Sequence, residues 1–253
     1  MTEKPLILVS NDDGINAQGI GVLTRLMCAL ADVVVVAPDG PRSGAACSMT
    51  VTRPVTLSPI SRTPGLTTVA CSGTPADCVK LALEHVVDRK PTLMVSGINH
   101  GDNASVNVHY SGTMGAVFEA CMKDIPAIGF SLRTRDTQCD FTPYEEAITR
   151  IAGHVLQNGL PQDTCLNVNF PQVERLAGLS VCRMARGKWD TEWAPTEQQG
   201  TFRLTGRYTC LEPDAQDTDW WAMDHDRGAV VPLHLDMTHT PTLSTLQSLN
   251  IEL

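Results

Sequence analysis

The sequence predicts an α/β protein: a Rossmann-like, doubly wound and mostly parallel sheet with a protruding C-terminal hairpin arm. Three observations lead there. Short β-branched, apolar runs alternate with helix-like stretches through the first two thirds of the chain. Those runs are continuous rather than alternating, as in strands covered on both faces. Polar, glycine-rich loops follow four of them, where the carboxyl ends of parallel strands open a ligand crevice.

The elements follow in order. "LILVS" (6–10), "VVVVAP" (33–38), "LTTVAC" (66–71), "TLMVSG" (92–97) and "AIGFSL" (127–132) read as strands. Helical patterns over about 17–31, 75–88 and 113–123 separate them. The second has a clear start: Thr74 as cap, Pro75 at the first helical position and Asp77 in the first turn. Its apolar stripe is Val79, Leu83, Val86 and Val87. A helix near 143–158 and the strand "CLNVNF" (165–170) continue the pattern. Residues 186–226 then turn polar, yet hold all four tryptophans: Trp189, Trp193, Trp220 and Trp221. This stretch reads as the arm, with the tryptophans engaged in packing or subunit contacts rather than as a base-stacking platform. "GAVVPLHLDMT" (228–238) reads as the strand returning to the main body. The organisation expected is one domain over 1–253 with an oligomerisation arm at about 186–226.

Composition narrows the function. A net charge of −9 argues against a nucleic-acid polymer, which needs a basic face. The first residues lack both a basic leader and a long apolar span, so neither an export signal nor membrane insertion is expected. Nine scattered cysteines without a C-x-x-C pair read as buried reduced thiols, including Cys47, Cys71 and Cys78, in a cytoplasmic protein.

The chemistry-bearing segments share one address. "SNDDG" ends the first strand, and "PDGPRSG", "CSGTPADC" and "SGINHGDN" end later ones. Asp12 and Asp13 are adjacent carboxylates, which a cation between them would make favourable. With the neutral oxygens of Ser43 and Asn99 they form a hard donor set suited to Mg²⁺ or Mn²⁺. The pair also reads as a solvated turn with Asp12 capping a helix. "YSGTMGAVFEA" (110–120) opens a helix with Ser111, Gly112 and Thr113, whose free backbone N–H groups would cradle a phosphate; taken alone it is equally a helix cap. His100 and His109 gather no further soft ligands for zinc, though a pocket histidine can protonate a leaving oxygen.

"ILVSNDDGI", "APDGPRSGAACSMTVTRP", "CSGTPADCVKLAL", "SGINHGDN", "YSGTMGAVFEA", "LNVNFP" and "VVPLHLDMT" together resemble the SurE, or survival protein E, nucleotidase family. Cys121 and His109 depart from its usual residues. The resemblance implies a Rossmann-like fold, one divalent metal per subunit at Asp12, Asp13, Ser43 and Asn99, and hydrolysis of nucleoside 5′- or 3′-monophosphates. It also implies a homodimer or homotetramer. Asp12, with Asn11, Ser111 and Thr113, would then act in catalysis, Asp12 taking a proton from water. Asn103, Ser111, Gly112 and Thr113 would hold phosphate. Two alternatives stay open: an aspartyl-phosphate type phosphatase, which wants carboxylates two apart, and a non-catalytic nucleotide-binding module.

Overall fold

The computed structural model of the protein describes residues 4–134, 136 and 138–247. In chain order the main body runs β1 (Leu6–Ser10), α1 (Gln18–Cys28), β2 (Asp32–Pro38), β3 (Leu57–Thr63), β4 (Leu66–Cys71) and α2 (Pro75–Leu81). It continues with β5 (Leu93–His100), α3 (Gly112–Cys121), β6 (Ala127–Arg133), α4 (Thr142–Asn158), β7 (Thr164–Pro171) and β8 (Gly178–Val181). The arm holds β9 (Gly187–Asp190), β10 (Trp193–Pro195), β11 (Phe202–Leu204) and β12 (Arg207–Cys210). Then come α5 (Asp219–Asp224), β13 (Arg227–His234) and α6 (Thr240–Gln247).

Among the described residues nine strands form one sheet, in the order β3-β4-β2-β1-β5-β6-β7-β13-β8. The run from β4 to β7 is parallel, while β3 and β13 enter antiparallel to β4 and β7. From β1 the chain winds one way through β2 to β4, then returns to β5 on the other side of β1. The winding therefore reverses between β1 and β5, and the loops leaving these two strands diverge. A crevice opens there at the carboxyl edge.

Burial on both faces explains the unbroken apolar runs. Ile7 and Val9 of β1 pack with Ile20 and Leu23 of α1 and Ile148 of α4. Leu6 and Leu8 point the other way, towards Val79 of α2 and Val117 of α3. The start of α2 is capped as expected: Thr74 Oγ1 accepts from the Asp77 N–H, and Asp77 Oδ2 accepts from the Thr74 N–H. The helix ends earlier, passing at Leu81 into a π turn over Ala82–Val86.

Two edge strands escape periodicity. β3 is exposed along nearly its whole length and carries Pro59 at a register shift, so no apolar run marks it. β8 is only four residues long. The arm is one hairpin in pairing but two in shape. The outer pair β9–β12 and the inner pair β10–β11 are separated by Thr191 and Gly206, both at positive φ, which kink it. Trp220 and Trp221 lie on α5 rather than in the hairpin.

Candidate active site

The loop after β1 is built by its own turn residues. Asn11 is fully buried; its Nδ2 donates to Gly14 O at 3.0 Å and its Oδ1 accepts from the Gly14 N–H at 3.2 Å. Gly14 has φ +101, and a Cβ there would press on the Gly40 backbone at 3.1 Å. The β2 loop is fastened to this turn, since Arg42 N–H donates to Asp12 O at 2.7 Å and Ile15 N–H to Pro38 O at 2.8 Å. Arg42 also reaches the loop after β4, donating to Gly73 O at 3.3 Å.

Asp12 is 5% exposed, and its Oδ1 accepts from the Thr113 hydroxyl at 2.5 Å. The start of α3 sits directly against it: a Cβ on Gly112 would fall 2.7 Å from Asp12 Cβ. Asp13 turns towards β5, where its Oδ2 accepts from the His100 N–H at 3.2 Å and lies 3.2 Å from His100 Nδ1. His100 Nε2 stays buried without a hydrogen-bond partner among the described residues. A register shift between Ser96 and Asn99, with Gly97 at φ +129, bends the end of β5 and aims Asn99 and His100 at the crevice.

A cavity of about 520 Å³ opens at this edge. Asp12, Ser43, Asn99, Asn103 and Ser111 all line it, together with His100. Asp13, Gly112 and Thr113 adjoin these lining residues, and His109 is exposed on the 3₁₀ turn Ser105–Tyr110. Thr113 is wholly buried, and its hydroxyl donates to Asp12. Asn11 has both side-chain polar atoms occupied by Gly14, so it closes the turn. Among the thiols, Cys71 and Cys78 are buried as expected, but Cys47 is exposed.

A family model described as "Survival protein SurE" matches residues 7–191. This chain belongs to the SurE family. It is 50% identical over 240 residues to a protein of Bacteroides thetaiotaomicron named 5′-nucleotidase SurE, covering 94% of this chain and 93% of that one. A protein of the same name from Bacteroides fragilis is 47% identical, with 97% and 98% covered. The crystal structure of the SurE protein from Aquifex aeolicus superposes with a TM-score of 0.82 at 34% identity, over 97% of this chain and 99% of that one.

The donor set of this SurE chain fits a hard divalent cation. Among the described residues no Lys or Arg forms an ion pair with Asp12 or Asp13. Burial pushes the Asp12 carboxyl up to about 6, the Thr113 bond pulls against that, and the neighbouring Asp13 charge adds to the rise. The one basic side chain paired with either carboxylate among the described residues is His100, whose Nδ1 lies 3.2 Å from Asp13 Oδ2. Asn99 donates its Nδ2 to Gly101 O at 2.8 Å, which leaves its amide oxygen to accept at the cavity that Ser43 also lines. Two anionic and two neutral oxygens suit Mg²⁺ or Mn²⁺ better than zinc.

Sequence reading missed two parts of this SurE site. Asn167 and Asn169 on β7 form a buried ring with the loop after β5. Asn169 Oδ1 accepts from the Asn103 N–H at 2.7 Å, Asn169 Nδ2 donates to Asn167 Oδ1 at 2.9 Å, and Asn167 Nδ2 donates to Asn103 O at 2.8 Å. Asn103 Nδ2 then donates to Ser131 Oγ at 2.8 Å. The available signal was two asparagines two apart, hence on one face, inside an otherwise apolar strand. The second part is the arm. Trp189 and Trp193, expected in packing or subunit contacts, line the cavity with Tyr110.

Proposed function

We propose that this chain hydrolyses nucleoside 5′- and 3′-monophosphates to nucleoside and phosphate, with one Mg²⁺ or Mn²⁺ per subunit held by Asp12, Asp13, Ser43 and Asn99. The observation that carries the reading is the adjacent, partly buried carboxylate pair, with no Lys or Arg ion pair among the described residues, at the switch point of the sheet. The 5′-nucleotidase names of the relatives supply the reaction class. A divalent cation in that set would neutralise phosphoryl charge and acidify a water.

The chain's own residues do the rest. Ser111 and the first turn of α3 present N–H groups and the positive helix end to the phosphate. Asn103, fixed by the asparagine ring, closes the other side of the phosphate position. Asp12 Oδ2, the oxygen left by the Thr113 bond, orients the attacking water. His100 holds Asp13 in place through its main-chain N–H and Nδ1. An aspartyl-phosphate route is not favoured, because the carboxylates are adjacent and Asp12 is pinned beneath α3. A phosphate-release screen across nucleoside monophosphates and other phosphoesters, with and without each divalent ion, tests the reading. Metal-dependent release from nucleotides is expected. No release with any ion would reduce the chain to a binding module.

Among the described residues no helix is long and apolar enough to cross a membrane, and all nine cysteines are free thiols. Both support a cytoplasmic enzyme acting on a small-molecule nucleotide. The chain is read as a single domain whose arm joins subunits into a homodimer or homotetramer. On the arm Phe202 and Leu211 are 61% and 49% exposed, apolar surface that a second subunit would cover. Light scattering at micromolar concentration should give a mass above that of one chain. A monomer would refute the assembly.

A further inference from the structure

The cavity has two chemically different ends. Asp12, Ser43, Asn99 and Ser111 form the polar end, whereas Tyr110 and the arm residues Trp193 and Leu204 form an apolar one. Trp193 and Leu204 are register partners across β10 and β11, so both project from the same face of the inner hairpin. That face lines the cavity.

The two tryptophans at this end are held very differently. Trp189 is fastened: its Nε1 donates to Asn107 Oδ1 at 2.8 Å, and Asn107 Nδ2 donates to Asp102 Oδ1 at 3.1 Å. Its ring meets Tyr208 edge-on at 5.8 Å, Tyr208 stacks on Trp220 at 4.0 Å, and Arg133 covers Trp220 at 4.2 Å. The stalk of the arm is thereby tied to the loop that carries Asn103. Beyond the kink, Trp193 has no ring partner among the described residues and is 61% exposed, and Tyr110 is 59% exposed. Two large aromatic faces are presented, unstacked, to a cavity whose far end is built for an anion.

Resting on the nucleotidase reading above, we propose that Trp193 and Tyr110 are the base-binding wall and set substrate preference by stacking. A phosphate at the polar end, joined through a ribose, carries a flat ring to the apolar end. Every nucleobase has a face to stack, so the wall admits all of them and favours the larger purines. Glu192 and Thr205 of the arm line the cavity as well, the Thr205 hydroxyl donating to Thr191 O at 3.2 Å.

The test compares AMP, CMP and ribose 5-phosphate on the full-length enzyme and on Trp193→Ala, Trp193→Phe and Tyr110→Ala. In the alanine variants the ratio of kcat/KM for AMP to that for ribose 5-phosphate should fall by about 10- to 100-fold, the worth of one stacked base. The loss should lie in KM, and the CMP ratio should fall less. Trp193→Phe should restore most of the ratio. Calorimetric binding of adenosine, which has no phosphate to release, reads the wall apart from turnover, and Trp193→Ala should weaken it by the same factor. An equal loss for AMP and ribose 5-phosphate, or adenosine binding that ignores both rings, would overturn the wall and leave the phosphatase standing. Adenosine binding that depends on Trp193 without nucleotide hydrolysis would instead overturn the reaction and leave the wall.

Discussion

The loops at the carboxyl edge of the sheet and the arm above them meet in one cavity, yet different forces hold them. At the edge, backbone and buried side chains leave almost no freedom. Asn11 closes its turn with both amide atoms, Gly112 allows α3 to touch Asp12, and the asparagine ring fixes Asn103. The arm is held by ring stacking and by exposed ion pairs such as Arg183 with Glu212 and Asp217. Buried polar groups lose a desolvation penalty's worth of stability when a partner is removed, while exposed pairs lose little. Positions within ångströms matter for phosphoryl chemistry and less for receiving a base. The rigid region lies where the chemistry is proposed.

The largest expected effect tests the carboxylate pair. Asp13→Asn keeps the shape and removes one of the two proposed anionic ligands. At an effective dielectric of about 20 this should weaken Mg²⁺ or Mn²⁺ roughly 100-fold or more and nearly abolish turnover, with the fold retained. Calorimetric metal titration with unchanged affinity would remove the site from this loop.

Thr113→Val comes next. It deletes the hydrogen bond to the Asp12 carboxylate, worth roughly 1.5–3 kcal/mol, so kcat/KM should drop about 10- to 100-fold for every nucleotide alike. Metal affinity should fall with it, because the bond orients a proposed ligand. If metal binding stayed intact while kcat/KM fell, Thr113 would act on phosphate after all, and the edge would be looser than described.

Asn169→Ala probes the buried ring without touching the cavity wall. It strips partners from the Asn103 N–H and from Asn167, at about 2 kcal/mol. Calorimetry should record a Tm lowered by roughly 4–8 °C in a chain of this size. The smallest effect belongs to the arm. Arg183→Ala breaks two ion pairs at a half-exposed side chain and should cost under about 1 kcal/mol, shrinking further in high salt. A loss as large as that of Asn169→Ala would erase the contrast between the two regions.

Much of this contrast was legible in the residues. Apolar runs located the central strands, and the caps at Thr74 and Ser111 located the starts of α2 and α3. The candidate ligands Asp12, Ser43 and Asn99 were found because each follows a strand, and parallel topology brings those ends to one edge. The exposed strand β3 was missed because it has no apolar face to announce it.

By itself the sequence determined the order of elements, the capped helix starts and which loops share the crevice. These depend on local backbone preference and on periodicity, which neighbouring residues encode together. Tertiary structure alone decided what each polar side chain does. Thr113 meets Asp12 across 101 residues, Asn169 meets Asn103 across 66, and Trp189 meets Asn107 across 82. A hydroxyl or an amide has several possible partners, and burial selects among them only after the sheet has brought distant segments together. The kink at Thr191 and Gly206 that turns Trp193 into the cavity is of the same kind, for its consequence lies in what the arm is folded over.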